Sequence, residues 1–167
     1  MTSKKIIILL NIVFLYNCGI YTFKGSAIPK KATSVFVSKI ENKANLTSPD
    51  FSQELTNSFI DRFLNETKLS IKENSSADLT FIGEVTDYSI KPISISSTES
   101  ATQNRLSITV KIKYENKIDS LDNYEKEFTN YTDFDSELDF LEIEESLNKL
   151  IIEDLIESIF NDTFSNW

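Results

Sequence analysis

A single cysteine, Cys18, is the one thiol in the 167 residues, so no disulfide can form within the chain. An unpaired thiol in an exported chain calls for another covalent partner. Its surroundings supply the export signal. Lys4 and Lys5 give a basic start, an apolar run from Ile6 to Tyr16 follows, and Leu15 lies three positions before the cysteine. A basic start, a short apolar stretch and a cleavage position together read as a secretory signal. The run is shorter than the roughly 20 apolar residues that a membrane-crossing helix needs. Other chemistry is sparse. There is no histidine, which excludes Ser-His-Asp and Cys-His catalysis and every histidine-based zinc site. Asp133 and Asp135 flank Phe134 as a formal carboxylate pair, but an ordinary turn or cap explains them better than a glycosidase site. The expectation is a protein that is not an enzyme and needs no cofactor.

The stretch Leu15-Tyr16-Asn17-Cys18-Gly19 resembles a bacterial lipobox, in which the thiol is acylated with diacylglycerol and the signal is cut just before it. Asn17 is larger than the Gly, Ala or Ser usual at that place. A plain signal peptide is the alternative, but no Ala-x-Ala site follows. The division that results is a lipoprotein signal peptide over 1–17, a lipidated tether over 18–32 starting at Cys18, and one domain over 33–167. Acyl chains such as palmitate, at about 0.8 kcal/mol per buried methylene, would hold the protein on a membrane. Gly19 stands where an acidic residue can retain lipoproteins at the inner membrane, which points to the outer one.

Loss of residues 1–17 removes Lys4 and Lys5 and leaves 15 basic against 26 acidic residues, a balance of −11. Such a surface repels phosphate backbones, so no nucleic-acid partner is expected. The remaining 150 residues are enough to bury a core. Asn-x-Ser/Thr triplets begin at Asn45, Asn65, Asn74, Asn130 and Asn161; in an Asn-, Ser- and Thr-rich chain these are read as chance.

The elements follow from periodicity. Val35 and Val37 alternate with Ser34 and Phe36, which predicts a first strand. Ser48-Pro49-Asp50 predicts a helix start capped by Ser48, and Phe51, Leu55, Phe59 and Phe63 recur every fourth residue over about 16 residues. Leu69 to Ile71 is either a short strand or the helix exit. Leu79, Phe81 and Val85 share one parity, and Tyr88 and Ile90 the other, which places a bulge near Gly83. Pro92 is expected to end pairing, and Ser94 to Gln103 to form a polar loop. Leu106, Ile108, Val110, Ile112 and Tyr114 alternate with Arg105, Ser107, Thr109, Lys111 and Lys113, giving one buried and one open face. Tyr124 and Phe128 share a face on the returning strand, and Glu137 to Phe164 is helical. The fold class predicted is α+β: a two-layer sandwich with a mostly antiparallel four-stranded sheet and two helices on one face, in the order β-α-β-β-β-α.

Several stretches in order resemble the LptE family of lipopolysaccharide-assembly lipoproteins, in its divergent non-enterobacterial branch. They are Cys18-Gly19-Ile20-Tyr21 with Phe23 and Gly25, Leu55 to Leu64, Gly83-Glu84-Val85-Thr86-Asp87-Tyr88, Asn104 to Lys111, Tyr131-Thr132-Asp133-Phe134-Asp135, and Ile159-Phe160-Asn161 to Asn166-Trp167. The resemblance implies an outer-membrane lipoprotein that partners the LptD β-barrel as a plug and binds lipopolysaccharide without catalysis. A periplasmic lipoprotein adaptor, binding another envelope protein through a sheet edge, is the competing reading.

Lipid A carries phosphates, so the resemblance directs attention to cations. Arg105, Lys111 and Lys113 lie on the open face of the central strand, and Lys91 at the end of the strand before it. Cross-strand pairing of Lys111 and Lys113 with Glu125 or Glu127 is the structural alternative, worth less than about 1 kcal/mol per pair. Arg105 is expected to be the least easily paired, and so the better ligand candidate.

Overall fold

The structure, a computed structural model, describes residues 28–45, 48, 50–94 and 102–164. The signal over 1–17, Cys18, the tether as far as residue 27, the middle of the polar loop (95–101), Pro49 and Trp167 lie outside the described residues. Among the described residues six strands and two helices follow one another: β1 (Ser34–Val37), β2 (Glu41–Asn42), α1 (Phe51–Glu66), β3 (Ser70–Ile71), β4 (Leu79–Ser94), β5 (Thr102–Asn116), β6 (Tyr124–Asp135) and α2 (Phe140–Phe164). A 3-10 turn, Ser120–Asp122, joins β5 to β6.

The sheet runs β3-β1-β4-β5-β6, with β2 beside β4 as a continuation of β1. It is a mixed sheet of six strands, which corrects the expected four. β4, β5 and β6 form the antiparallel meander that their alternation predicts. β1, β2 and β3 pair in parallel. The parallel pairing of β1 with β4 has a connectional cause, because the chain crosses over through α1 between them. β2 and β3 are two residues each, too short to show a period.

Both helical stripes and one face of the sheet close a single core. Phe51, Leu55, Phe59 and Phe63 are buried along α1, and Leu147, Ile151, Leu155 and Ile159 along α2, against Phe81, Leu106, Ile108, Val110 and Ile112. Phe63 lies at the centre of the aromatic packing, with its ring 5.3 Å from Phe59, 5.4 Å from Phe81, 5.6 Å from Phe160 and 6.1 Å from Phe164.

Helix ends depart from expectation by a residue or two. Asp50, not Ser48, is the N-cap of α1, without a side-chain cap bond, while the Phe51 N–H reaches the Ser48 carbonyl at 3.2 Å. α2 begins at Phe140 rather than Glu137. Asp135 first closes a turn by accepting from the Glu137 N–H (2.9 Å), and Asp139 then accepts from the Leu141 N–H (3.0 Å). This is the side-chain capping that short acidic residues favour.

The bulge lies at Thr86, between Val85 and Asp87, not at Gly83. Gly83 is required for a different reason. Between β1 and β2 the chain breaks at Ser38–Ile40, and Ile40 turns into the core while its N–H donates to Thr56 Oγ1 at 3.0 Å. A Cβ on Gly83 would meet Ile40 Cγ1 and Ile112 Cδ1, each at 3.0 Å. Pairing also continues through Pro92 as far as Ser94, opposite Thr102. Past Val85, β4 has no strand on its other side among the described residues, and such an edge tolerates a residue that cannot donate.

Candidate functional site

Among the described residues no helix covers the second face of the sheet, and all four predicted cations belong to it or to its margin. Their placement follows from register. Arg105 is opposite Lys91 on β4 and Asp133 on β6, while Lys111 is opposite Glu84 and Glu127, and Lys113 opposite Ile82 and Glu125. Six residues of strand separate Arg105 from Lys111, which is about 20 Å at 3.4 Å per residue. The four cations therefore form two groups rather than one patch.

In the outer group, Arg105 is the most firmly held of the four, against the expectation that it would be least paired. Its Nε donates to Asp133 Oδ1 at 2.7 Å and its Nη2 to Asp133 Oδ2 at 2.9 Å. The guanidinium also stacks over Tyr131, 3.7 Å from the ring centroid. A bidentate fork of this kind is the geometry in which arginine binds carboxylate or phosphate most strongly. The hydrogen bonds to Asp133 raise the arginine pKa further and lower that of the carboxyl. Lys91, exposed and across from it, forms no ion pair among the described residues.

In the inner group, Lys111 pairs diagonally with Glu125, and Lys113 Nζ lies 2.7 Å from Glu115 Oε1 on its own strand. Each lysine pKa is raised chiefly by the hydrogen bond to its glutamate, and that of Glu125 is lowered by the bond from Lys111. Beside them the break between β1 and β2 opens a groove of about 300 Å³, lined among others by Lys39, Glu41, Ile82 and Glu84. Nothing in the periodicity marks Lys39 or Glu41 as groove residues, because the groove exists only where the edge strand is interrupted.

Asp133 and Asp135 lie on β6 rather than in a loop. Asp133 is taken up by Arg105, and Asp135 by the turn into α2. No group of three or more metal-ligating side chains occurs among the described residues. Among those residues, no helix is long and apolar enough to cross a membrane. A second polar cluster is buried under the helices. The Tyr88 hydroxyl lies 3.0 Å from both Glu144 Oε1 and Asn148 Oδ1, and burial, reinforced by Glu144, pushes its pKa well above the usual tyrosine value. It joins β4 to α2, with Tyr88 and Asn148 buried and Glu144 half-buried at its margin, so its role is architectural.

Comparison with known proteins places this arrangement. The structure resembles protein CT253 of Chlamydia trachomatis (TM-score 0.56, 8% identity, covering 81% of this chain and 99% of that one). It also resembles a neuraminyllactose-binding hemagglutinin homologue of Helicobacter pylori (TM-score 0.57, 14% identity, 85% and 88% covered). Protein XCC0632 of Xanthomonas campestris is comparably similar (TM-score 0.56, 12% identity, 83% and 87% covered). At such identities the likeness concerns the fold. No curated protein matches significantly. The model of the LptE family, described as lipopolysaccharide-assembly, matches residues 32–163, from the lead into β1 to the last turn of α2. The chain belongs to the LptE family of lipopolysaccharide-assembly proteins.

Proposed function

We propose that this protein is an outer-membrane lipoprotein, acylated at Cys18 after removal of residues 1–17, that partners an LptD-like β-barrel in lipopolysaccharide transport and assembly. The observation that carries the reading is the family match across residues 32–163, which takes in every strand and nearly all of both helices. The geometry is compatible. An uncovered sheet face of alternating charges and hydroxyls, including the Thr109–Thr129 hydroxyl pair at 2.9 Å, suits the polar lumen of a barrel better than lipid would.

Lipopolysaccharide is the proposed ligand, with Lys91 and Arg105 as the first contacts for its phosphates and Lys111 and Lys113 as the second group. Lys91 brings a cation that is not engaged in an ion pair among the described residues. Arg105 offers a pre-formed fork, for which a phosphate would compete with Asp133.

The test is extraction in mild detergent followed by capture of the acylated chain. A large β-barrel should co-purify. Recovery of the chain alone, under conditions that keep other barrel complexes intact, refutes the partnership, and a non-barrel envelope partner favours the adaptor reading. For the ligand, Lys91→Ala with Arg105→Ala should weaken lipopolysaccharide capture several-fold, and unchanged capture dismisses that site.

A further inference from the structure

The end of the sandwich from which the chain leads back towards Cys18 differs from the rest of the surface. Asp78 Oδ2 accepts from the N–H groups of Thr33 and Ser34 (2.8 and 3.1 Å) and from both their hydroxyls (2.9 and 3.0 Å), tying the start of β1 to the start of β4. The Lys117 N–H donates to the Asp78 carbonyl at 2.9 Å, which brings in the end of β5 and the 3-10 turn beyond it. Both helices finish here as well. Just past α1 the Ser70 N–H reaches the Thr33 carbonyl (2.9 Å), and in the last turn of α2 the Thr163 hydroxyl meets that of Tyr124 (2.5 Å).

Two features of this end are unusual. Leu121, in the 3-10 turn, is 92% exposed, and Ile118 beside it is 39% exposed. The turn is itself fixed, because Asp119 Oδ1 accepts from the Leu121 N–H at 3.1 Å. At the same end of the sheet Lys30, Lys31, Lys68, Lys72 and Lys117 are exposed, and none forms an ion pair among the described residues, although Lys117 Nζ donates to the Ser75 carbonyl. The acids here are largely engaged. Asp78 and Asp119 accept from backbone donors, Asp122 from the Asn116 amide (3.1 Å), and Glu66 and Asp162 pair with Arg62 and Lys126. Glu73 remains beside them, and Asp61 and Glu157 line the groove that holds Glu66 and Arg62. A chain that is strongly acidic elsewhere thus has one end where five lysines outside any ion pair gather among the described residues.

Residues 18–27 connect Cys18 to this end and span at most about 35 Å when fully extended. We propose that this end docks on the phospholipid surface holding the anchor, with Leu121 and Ile118 entering the headgroup boundary and the lysines facing anionic headgroups. The proposal rests on the reading of Cys18 as acylated. Two apolar side chains on a convex turn, not a groove, fit a fluid surface, and juxtamembrane lysines are drawn to anionic lipid. The contact is weak by itself. It suffices because the anchor keeps the domain at high effective concentration beside the bilayer.

The experiment uses the full acylated chain in vesicles of phosphatidylethanolamine with phosphatidylglycerol. In Leu121→Cys the acylated Cys18 is blocked, so a polarity-sensitive maleimide dye labels position 121 alone. Ser89→Cys carries the same dye on the open face, far along β4. Quenching of the dye at 121 by aqueous iodide should fall at least fivefold between detergent and vesicles, and quenching at 89 should not change. A combined Lys30→Glu, Lys31→Glu and Lys68→Glu chain should regain quenching at 121 while still floating with the vesicles. Equal quenching at both positions in vesicles overturns the docking, as does shielding that the triple variant leaves intact. A chain that takes dye at Cys18 and does not float overturns the anchor instead, so the two failures are told apart.

Discussion

Truncating Phe63 to alanine tests whether the aromatic packing couples the two layers. The ring is fully buried and touches α1, β4 and α2 at once through Phe59, Phe81, Phe160 and Phe164. Cutting a buried phenylalanine back to alanine costs about 3–5 kcal/mol through lost transfer energy and the cavity left behind. Three neighbours lie on other elements, so no single side-chain movement can refill the space, and the upper half of that range is expected. For a domain of about 150 residues each kcal/mol shifts the midpoint by roughly 2–4 °C, which gives a fall of about 8–20 °C. Leu64 is the control one residue along: it is 56% exposed, and Leu64→Ala should change stability by less than about 0.5 kcal/mol. Urea unfolding followed by circular dichroism, with m-values compared, reads both variants. If Phe63→Ala costs under about 1.5 kcal/mol at unchanged m, the packing of the two helices on the sheet does not depend on this ring and the reasoning is refuted.

Other expected outcomes are independent of that one. Gly83→Ala forces a methyl against Ile40 and Ile112 at 3.0 Å and should cost about 1–3 kcal/mol, with Ile112→Val, which removes the Cδ1 that the methyl meets, recovering part of it in the same chain on thermal melting. Tyr88→Phe leaves the buried Asn148, 3% exposed, without its hydroxyl partner and should cost about 1–3 kcal/mol by the same assay. Hydrogen bonds from Thr33 and Ser34 lower the Asp78 pKa below its ordinary 3.8, so its contribution is complete well above that value. As pH falls the unfolded chain takes up the proton first, and the contribution is lost from about 3.8 downwards through the folded pKa. Asp78→Asn should flatten the stability-pH curve in that window, and an unchanged curve would show that the carboxylate is not responsible.

What could be read from the residues was what periodicity encodes. The ten-residue alternation around Val110 and the four-residue stripe from Phe51 to Phe63 appear in the structure on the faces they predict. Two-residue strands carry no period, so β2 was out of reach, and β3 was legible only as one of two alternatives for Leu69 to Ile71. The parity change in β4 was visible, but not its position. Gly83 drew the bulge to itself because a strand glycine commonly marks one, whereas here it makes room for Ile40 from the neighbouring edge. The side-chain partners were harder still. Asp133 meets Arg105 only because the 3-10 turn sets the register of β6 on β5, and the two residues are 28 apart in sequence. A cation that looks solitary along the chain can thus be the best satisfied in the fold.

The clamp made by Asp78 has a mechanical side. Tension arriving along the residues before Ile28 would reach the sheet at Thr33, where four donors converge on one carboxylate oxygen. Beyond it, β1 runs between β3 and β4 in parallel pairing with both. A pull along that strand loads its bonds on two sides together, in shear, instead of opening them in succession. The lead into the domain is thereby the part best suited to bear a leash.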